Sequence, residues 1–210
     1  AVPMRAQVRP FTALVAAALL GVLPATAADF RGRVALLEKG KPSADKTLAV
    51  VGLGRIGKLV ADRAKAFGMR LVAYDPFVSA DRARQMGVEL MSLDQAVAEA
   101  DFLTIHLPKT KETTGLINRD LLLKAKPSLR VINVARGGIV DDAAVAAALR
   151  SGALGGAAID VFTNEPLPAS TVFDGCPNLV LTPHIAGVTA EANVRVSSMI
   201  AAAVIAELKG

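Results

Sequence analysis

Five side chains in this sequence are placed to do chemistry: His106, Arg136, Asp160, Glu165 and His184, each at or just past the end of an apolar run. In "NVARGGIVD", Arg136 comes before two glycines, where a planar guanidinium can grip a carboxylate through two parallel hydrogen bonds. In "AIDVFTNEP", Asp160 closes an apolar run and Glu165 stands just ahead of Pro166. In "LTPHIAGVT", His184 leads into a small-residue turn that lets a substrate or cofactor approach. Taken singly, the arginine also reads as a surface-turn residue, each acid as a turn cap or solvated charge, and a lone histidine reads first as structural. At successive strand ends beside a cofactor-binding loop, they read as an active site.

The loop that supplies that context lies in "LAVVGLGRIGKLVADRAKAFGMRLVAYDP", Leu48 to Pro76. Gly52 lets the chain turn sharply off a strand, Gly54 removes the side chain where a pyrophosphate must touch backbone, and Gly57 lets helix and strand pack closely. The helix that starts near Arg55 and Ile56 points its free N–H groups, and the positive end of its dipole, at the anion. Asp75, ending the following strand, would accept hydrogen bonds from the adenosine ribose and repel a 2′-phosphate, which favours NAD over NADP.

The elements that must position these groups follow from alternation. Apolar runs are each followed by a capped helical stretch, so the fold class is α/β, a doubly wound, mainly parallel sheet with helices on both faces. The spacing predicts a helix over 79–86, a strand over 88–90, and a helix opened by a capping box of Ser92 and Gln95. It further predicts a buried strand over 102–105, a helix capped by Asn118 and running to Pro127, and a helix with Asp141 and Asp142 at its start and Gly152 at its end. "GGAAIDVF" and "NLVLTP" read as strands, and 189–209 as a final helix with apolar residues at helical spacing.

Composition narrows the classes. Over 210 residues, 52% are hydrophobic, which argues against disorder, and the net charge of +5 comes from lysines and arginines scattered among acids. With 4% aromatic residues and no tryptophan, nothing resembles an interleaved aromatic and basic nucleic-acid face. The single Cys176 excludes a disulfide within the chain, and two histidines are too few for a histidine-built metal site, so no metal is implied.

"VGLGRIG", "YDP", "HLPKTKETTGLIN", "INVARGGIVD", "GAAIDVFTNEP" and "TPHIAGVTAEA" together resemble, in order and spacing, the NAD-dependent D-2-hydroxyacid dehydrogenases, particularly the branch acting on 3-phosphoglycerate; the similarity runs from about Thr47 to Glu191. The resemblance implies a Rossmann-type domain in which Arg136, Glu165 and His184 are catalytic. Gly52, Gly54, Arg55, Ile56 and Gly57 would hold the pyrophosphate and Asp75 the ribose. Leu107, Val134 and Ala135, with Arg136 and His184, would line the cofactor site. Asp160 would meet the nicotinamide amide, and Ala186 and Gly187 would border the ring. His106 falls outside the catalytic set and reads as structural. The implied reaction is hydride transfer between NAD and C2 of a 2-hydroxy acid, with His184 as acid and base and Glu165 orienting it.

Two units are expected, 1–45 as an N-terminal apolar helix and linker and 46–210 as the dinucleotide-binding domain with its C-terminal helix. Phe11 to Val22 reads as a helix of the fold, although residues 4–27 also match a secretory signal with an Ala-x-Ala site. Family members carry a substrate domain ahead of the cofactor domain, which implies binding of NAD with weak or no turnover by this chain alone. The expected partners are a small hydroxy or oxo acid and a second copy of the chain, with no nucleic acid or membrane, and the expected compartment is the cytoplasm. Two other readings stay open: a dehydrogenase for sulfolactate or another small hydroxy acid, and a non-catalytic NAD(H)-sensing module like the corepressors that share this fold.

Overall fold

The computed structural model describes residues 45–209. The expected helix at Phe11–Val22 and the signal-like stretch lie outside the described residues. Seven strands form one sheet: β1 (Thr47–Val51), β2 (Arg70–Tyr74), β3 (Glu89–Leu90), β4 (Phe102–Ile105), β5 (Arg130–Asn133), β6 (Gly156–Ile159) and β7 (Leu179–Leu181). Their order is β3-β2-β1-β4-β5-β6-β7, and every pairing is parallel. Strand order reverses between β1 and β4, and at such a switch point the loops leave the sheet in opposite directions and open a crevice.

The helices among the described residues are α1 (Arg55–Ala66), α2 (Ala80–Gln85), α3 (Leu93–Glu99), α4 (Arg119–Leu122), α5 (Asp142–Ser151) and α6 (Ala190–Leu208). Alternation within the strands sends side chains to two cores. Leu48, Val50, Leu71 and Ala73 pack with Val60, Ala61 and Ala64 of α1 and Ala83 of α2. Ala49, Val51, Leu103 and Val131 pack with Val97 of α3, Leu121 of α4 and Val145 and Leu149 of α5. Helices on both faces explain why β1 and β4 are apolar at almost every position and fully buried.

The capping chemistry expected from sequence is present. Ser92 and Gln95 form the reciprocal capping box, Asn118 and Asp141 cap α4 and α5, and Gly152 ends α5 in the left-handed region at φ 75°. The stretch after Asn118 departs from expectation, because α4 ends at Leu122 rather than continuing to Pro127. The amides of Lys124 and Ala125 bond three residues back, to Leu121 and Leu122, which tightens the chain before Pro127 forces its predecessor out of helical geometry. The final helix forms where expected, but none of its residues is buried, and Val194, Met199, Ile200, Val204 and Ile205 all face outward.

Candidate active site

The site is built from the loops at the carboxyl ends of β1, β2, β4, β5, β6 and β7. The turn after β1 places Gly52 at φ 102°, and a Cβ there would lie 2.9 Å from the backbone of His106 and Leu107, so β1 and β4 meet backbone to backbone at the switch point. A Cβ on Gly57 would lie 1.9 Å from the Gly52 carbonyl oxygen, so only glycine lets α1 start this close to the strand it follows. Gly54 differs from both, since a Cβ there would meet nothing within 4 Å.

Among the described helices, α1 is the one that begins without a side-chain cap; Ser79, Ser92, Asn118, Asp141 and Thr189 cap the other five. It also has no acid in its first turn. Uncapped amides, a positive dipole end and open space over Gly54 suit a phosphate and fit the dinucleotide the sequence implied. Ile56 stands exposed in that first turn. Asp75, after β2, accepts the Leu53 N–H at 2.7 Å and the Phe77 N–H at 2.8 Å, so its carboxylate stands beside the glycine loop it helps shape.

Across the crevice, Glu165 and His184 form the ion-pair geometry that sequence order alone cannot supply. Glu165 Oε2 lies 2.7 Å from His184 Nδ1, while Oε1 accepts the Phe162 N–H at 2.9 Å. These contacts, led by the bond to His184, hold the Glu165 carboxyl below the usual carboxylate range, and the charge of Arg136 adds to the effect. The loop carrying Glu165 is braced twice: Thr163 Oγ1 donates to Asp142 at 3.0 Å, and Gly137 packs so tightly that a Cβ would lie 1.7 Å from the Phe162 carbonyl oxygen. A cavity of about 400 Å³ opens beside the pair, lined by Phe162, Glu165, Leu167, Leu181, Thr182 and His184 among others.

Arg136 is exposed, and its Nη1 donates to the Ala135 carbonyl at 2.6 Å. Its turn is set by Asn133, fully buried at the end of β5, which accepts the Ala135 N–H and donates to the Arg136 carbonyl, both at 3.2 Å. Sequence reasoning passed over Asn133 and Thr182. The available signal was a hydrogen-bonding side chain at the end of an apolar strand, where burial, complete for Asn133 and partial for Thr182, calls for a partner. Val134 and Ala135 are half-buried, Leu107 and Ala186 are buried, and Gly187 is exposed. Asp160 is fully buried.

The His106 ring turns to Thr104 Oγ1 at 2.9 Å. Burial pushes its pKa down from 6.5 to about 4. The imidazole therefore stays neutral in the folded chain while the unfolded chain takes up a proton below pH 6.5, so His106 contributes stability that is present above 6.5 and is lost as pH falls toward 4. A shift of this size is worth about 3 kcal/mol. Urea unfolding between pH 7.5 and 4.5 should show that loss in the parent chain and a flatter profile in His106→Gln; matching profiles would remove His106 as the cause.

Comparison with known proteins agrees with this construction. The family described as D-isomer specific 2-hydroxyacid dehydrogenase, NAD binding domain, matches residues 22–186. D-3-phosphoglycerate dehydrogenase of Synechocystis sp. is 50% identical over 152 residues, covering 72% of this chain and 27% of that protein. The enzyme of the same name from Mycobacterium tuberculosis H37Rv is 51% identical over 165 residues, covering 79% of this chain and 31% of the relative. The chain thus spans about a third or less of the length of these curated relatives. Among solved structures, D-lactate dehydrogenase from Aquifex aeolicus, complexed with NAD and lactic acid, superposes with a TM-score of 0.79 at 28% identity, covering all of this chain and 68% of that one. With its Rossmann sheet, uncapped glycine turn and paired Glu165 and His184, the chain belongs to the D-isomer specific 2-hydroxyacid dehydrogenases, through their NAD-binding domain.

Proposed function

We propose that this chain supplies the cofactor-binding unit, residues 46–210, of an NAD-dependent oxidoreductase acting on a D-2-hydroxy acid, with 3-phosphoglycerate as first choice. The observation that carries the reading is the 2.7 Å Glu165–His184 pair on the loops after β6 and β7, in the same sheet edge as the glycine turn. When bound, NAD supplies the hydride acceptor or donor. The chain's own residues do the rest. Glu165 occupies His184 Nδ1, which leaves Nε2 as the nitrogen that exchanges a proton with the substrate oxygen. Arg136 grips the substrate carboxylate.

Gly52, Gly54, Arg55, Ile56 and Gly57 hold the pyrophosphate, and Asp75 the ribose. Leu107, Val134, Ala135, Ala186 and Gly187 border the remainder of the cofactor. The relatives named for phosphoglycerate support that substrate, which would place the reaction in serine biosynthesis. A cytoplasmic homodimer is the proposed setting, where NAD is abundant.

The test is a panel of 2-oxo acids with NADH and the full-length protein. The fastest NADH oxidation is expected with the phosphorylated three-carbon oxo acid, and faster turnover of a sulfonated or uncharged analogue would displace phosphoglycerate. Cofactor choice is checked separately. Asp75→Asn keeps an acceptor for the Leu53 amide but removes the charge, so binding of NADPH relative to NADH should rise about tenfold by fluorescence titration, corresponding to about 1.4 kcal/mol. An unchanged ratio would show that Asp75 does not set the preference.

A further inference from the structure

His184 sits at φ 54°, in the left-handed region that non-glycine residues enter only when their surroundings over-determine them. What over-determines it is Asp160. Asp160 is completely buried, and its carboxylate is committed to the loop that carries His184. Oδ1 accepts the Thr182 hydroxyl at 2.5 Å and the Ile185 N–H at 2.9 Å, and Oδ2 accepts the Ala186 N–H at 2.9 Å. The Asp160 backbone carbonyl accepts the His184 N–H at 2.8 Å, and the Asp160 N–H is itself fixed to the Asn133 carbonyl at 3.0 Å. Donors on both sides of His184 thus converge on one residue anchored in the sheet, and from that clamped loop the imidazole meets Glu165.

We infer that Asp160 is a positioning residue for His184, its buried carboxylate clamping the Thr182–Ala186 loop so that the imidazole keeps Nδ1 on Glu165 and Nε2 free for the substrate. The inference rests on reading His184 as the proton-transferring group. It assigns Asp160 a task that is complete before any cofactor arrives, whereas contact with the nicotinamide amide is a task that exists only afterwards. The two are therefore separable by measurement on the chain without nucleotide.

The chain has two histidines, so ¹⁵N-labelling gives one ring signal set for His184 and one for His106 as an internal reference. In alkaline buffer, with the ring neutral, the parent should show His184 as the Nδ1–H tautomer. Asp160→Asn puts an amide donor against backbone donors; His184 should then shift toward the Nε2–H tautomer, and the Ile185 and Ala186 amides should exchange at least about tenfold faster, with His106 unmoved. Thr182→Val, which removes one of the three donors to the carboxylate, should move the same signals the same way by less, and it carries the test if the asparagine variant does not fold.

Unchanged His184 ring signals in the folded variant would overturn the inference, even if NADH affinity fell, because Asp160 would then serve the cofactor alone. The outcome is also distinct from failure of the proposed function. A parent chain that binds no NADH, but whose His184 tautomer still depends on Asp160, removes the oxidoreductase reading and keeps the clamp.

Discussion

Replacing His184 with alanine in the full-length protein is expected to lower kcat by about 10²–10⁴-fold, the usual range for removing a positioned proton donor and acceptor. NADH affinity stays close to the parent value, because the glycine turn after β1 and Asp75 after β2 are untouched. Glu165→Gln separates two parts of the effect. The amide oxygen can still accept from Nδ1 and orient the ring, while the amide nitrogen replaces the oxygen that accepts the Phe162 N–H, so the remaining loss combines the missing negative charge with that lost loop contact. Steady-state NADH oxidation and NADH fluorescence titration on the same preparations check both variants. Undiminished turnover in the alanine variant would remove His184 from the chemistry, whatever its geometry with Glu165.

The second large effect belongs to the glycines of the turn, and the structure predicts opposite behaviour for two of them. Gly54 has extended backbone at φ −66°, and a Cβ there would meet nothing within 4 Å. Gly54→Val therefore folds normally, with melting close to the parent. The valine fills the open space over the first amides of α1, and the Kd for NADH rises at least about 100-fold, or roughly 2.7 kcal/mol. Gly57→Ala acts through the fold. Its Cβ would lie 1.9 Å from the Gly52 carbonyl oxygen, so α1 and the turn must separate, at a cost of about 1–3 kcal/mol in stability as well as lost binding. Calorimetric melting and NADH titration on both variants give the comparison. A Gly54→Val chain that binds NADH like the parent would mean that phosphate does not sit where the open space is.

The behaviour of these residues shows how far the linear sequence reaches. Gly52, Gly57, the Asn118 and Asp141 caps, the capping box at Ser92 and the left-handed Gly152 were legible because each obeys a rule spanning a few residues, and the structure shows each where expected. The helix after Asn118 was misjudged in length because the restriction imposed by Pro127 reaches back through a tight turn that periodicity does not register. The apolar spacing in α6 predicted the helix without saying what it would pack against, and in the described structure all of its large apolar residues remain exposed.

By itself the sequence determined the alternation of strands and helices, the parallel sheet, the phosphate turn, and the roster of reactive side chains at strand ends, since all of these depend on near neighbours in the chain. Only the tertiary structure decided which of those side chains meet. Glu165 comes within 2.7 Å of His184, Asp160 turns inward to clamp the histidine loop, and Gly137 closes on Phe162. The physical reason is that residues far apart in the chain become neighbours through the register of β5, β6 and β7. In that sheet a shift of one position would turn every inward side chain to the opposite face.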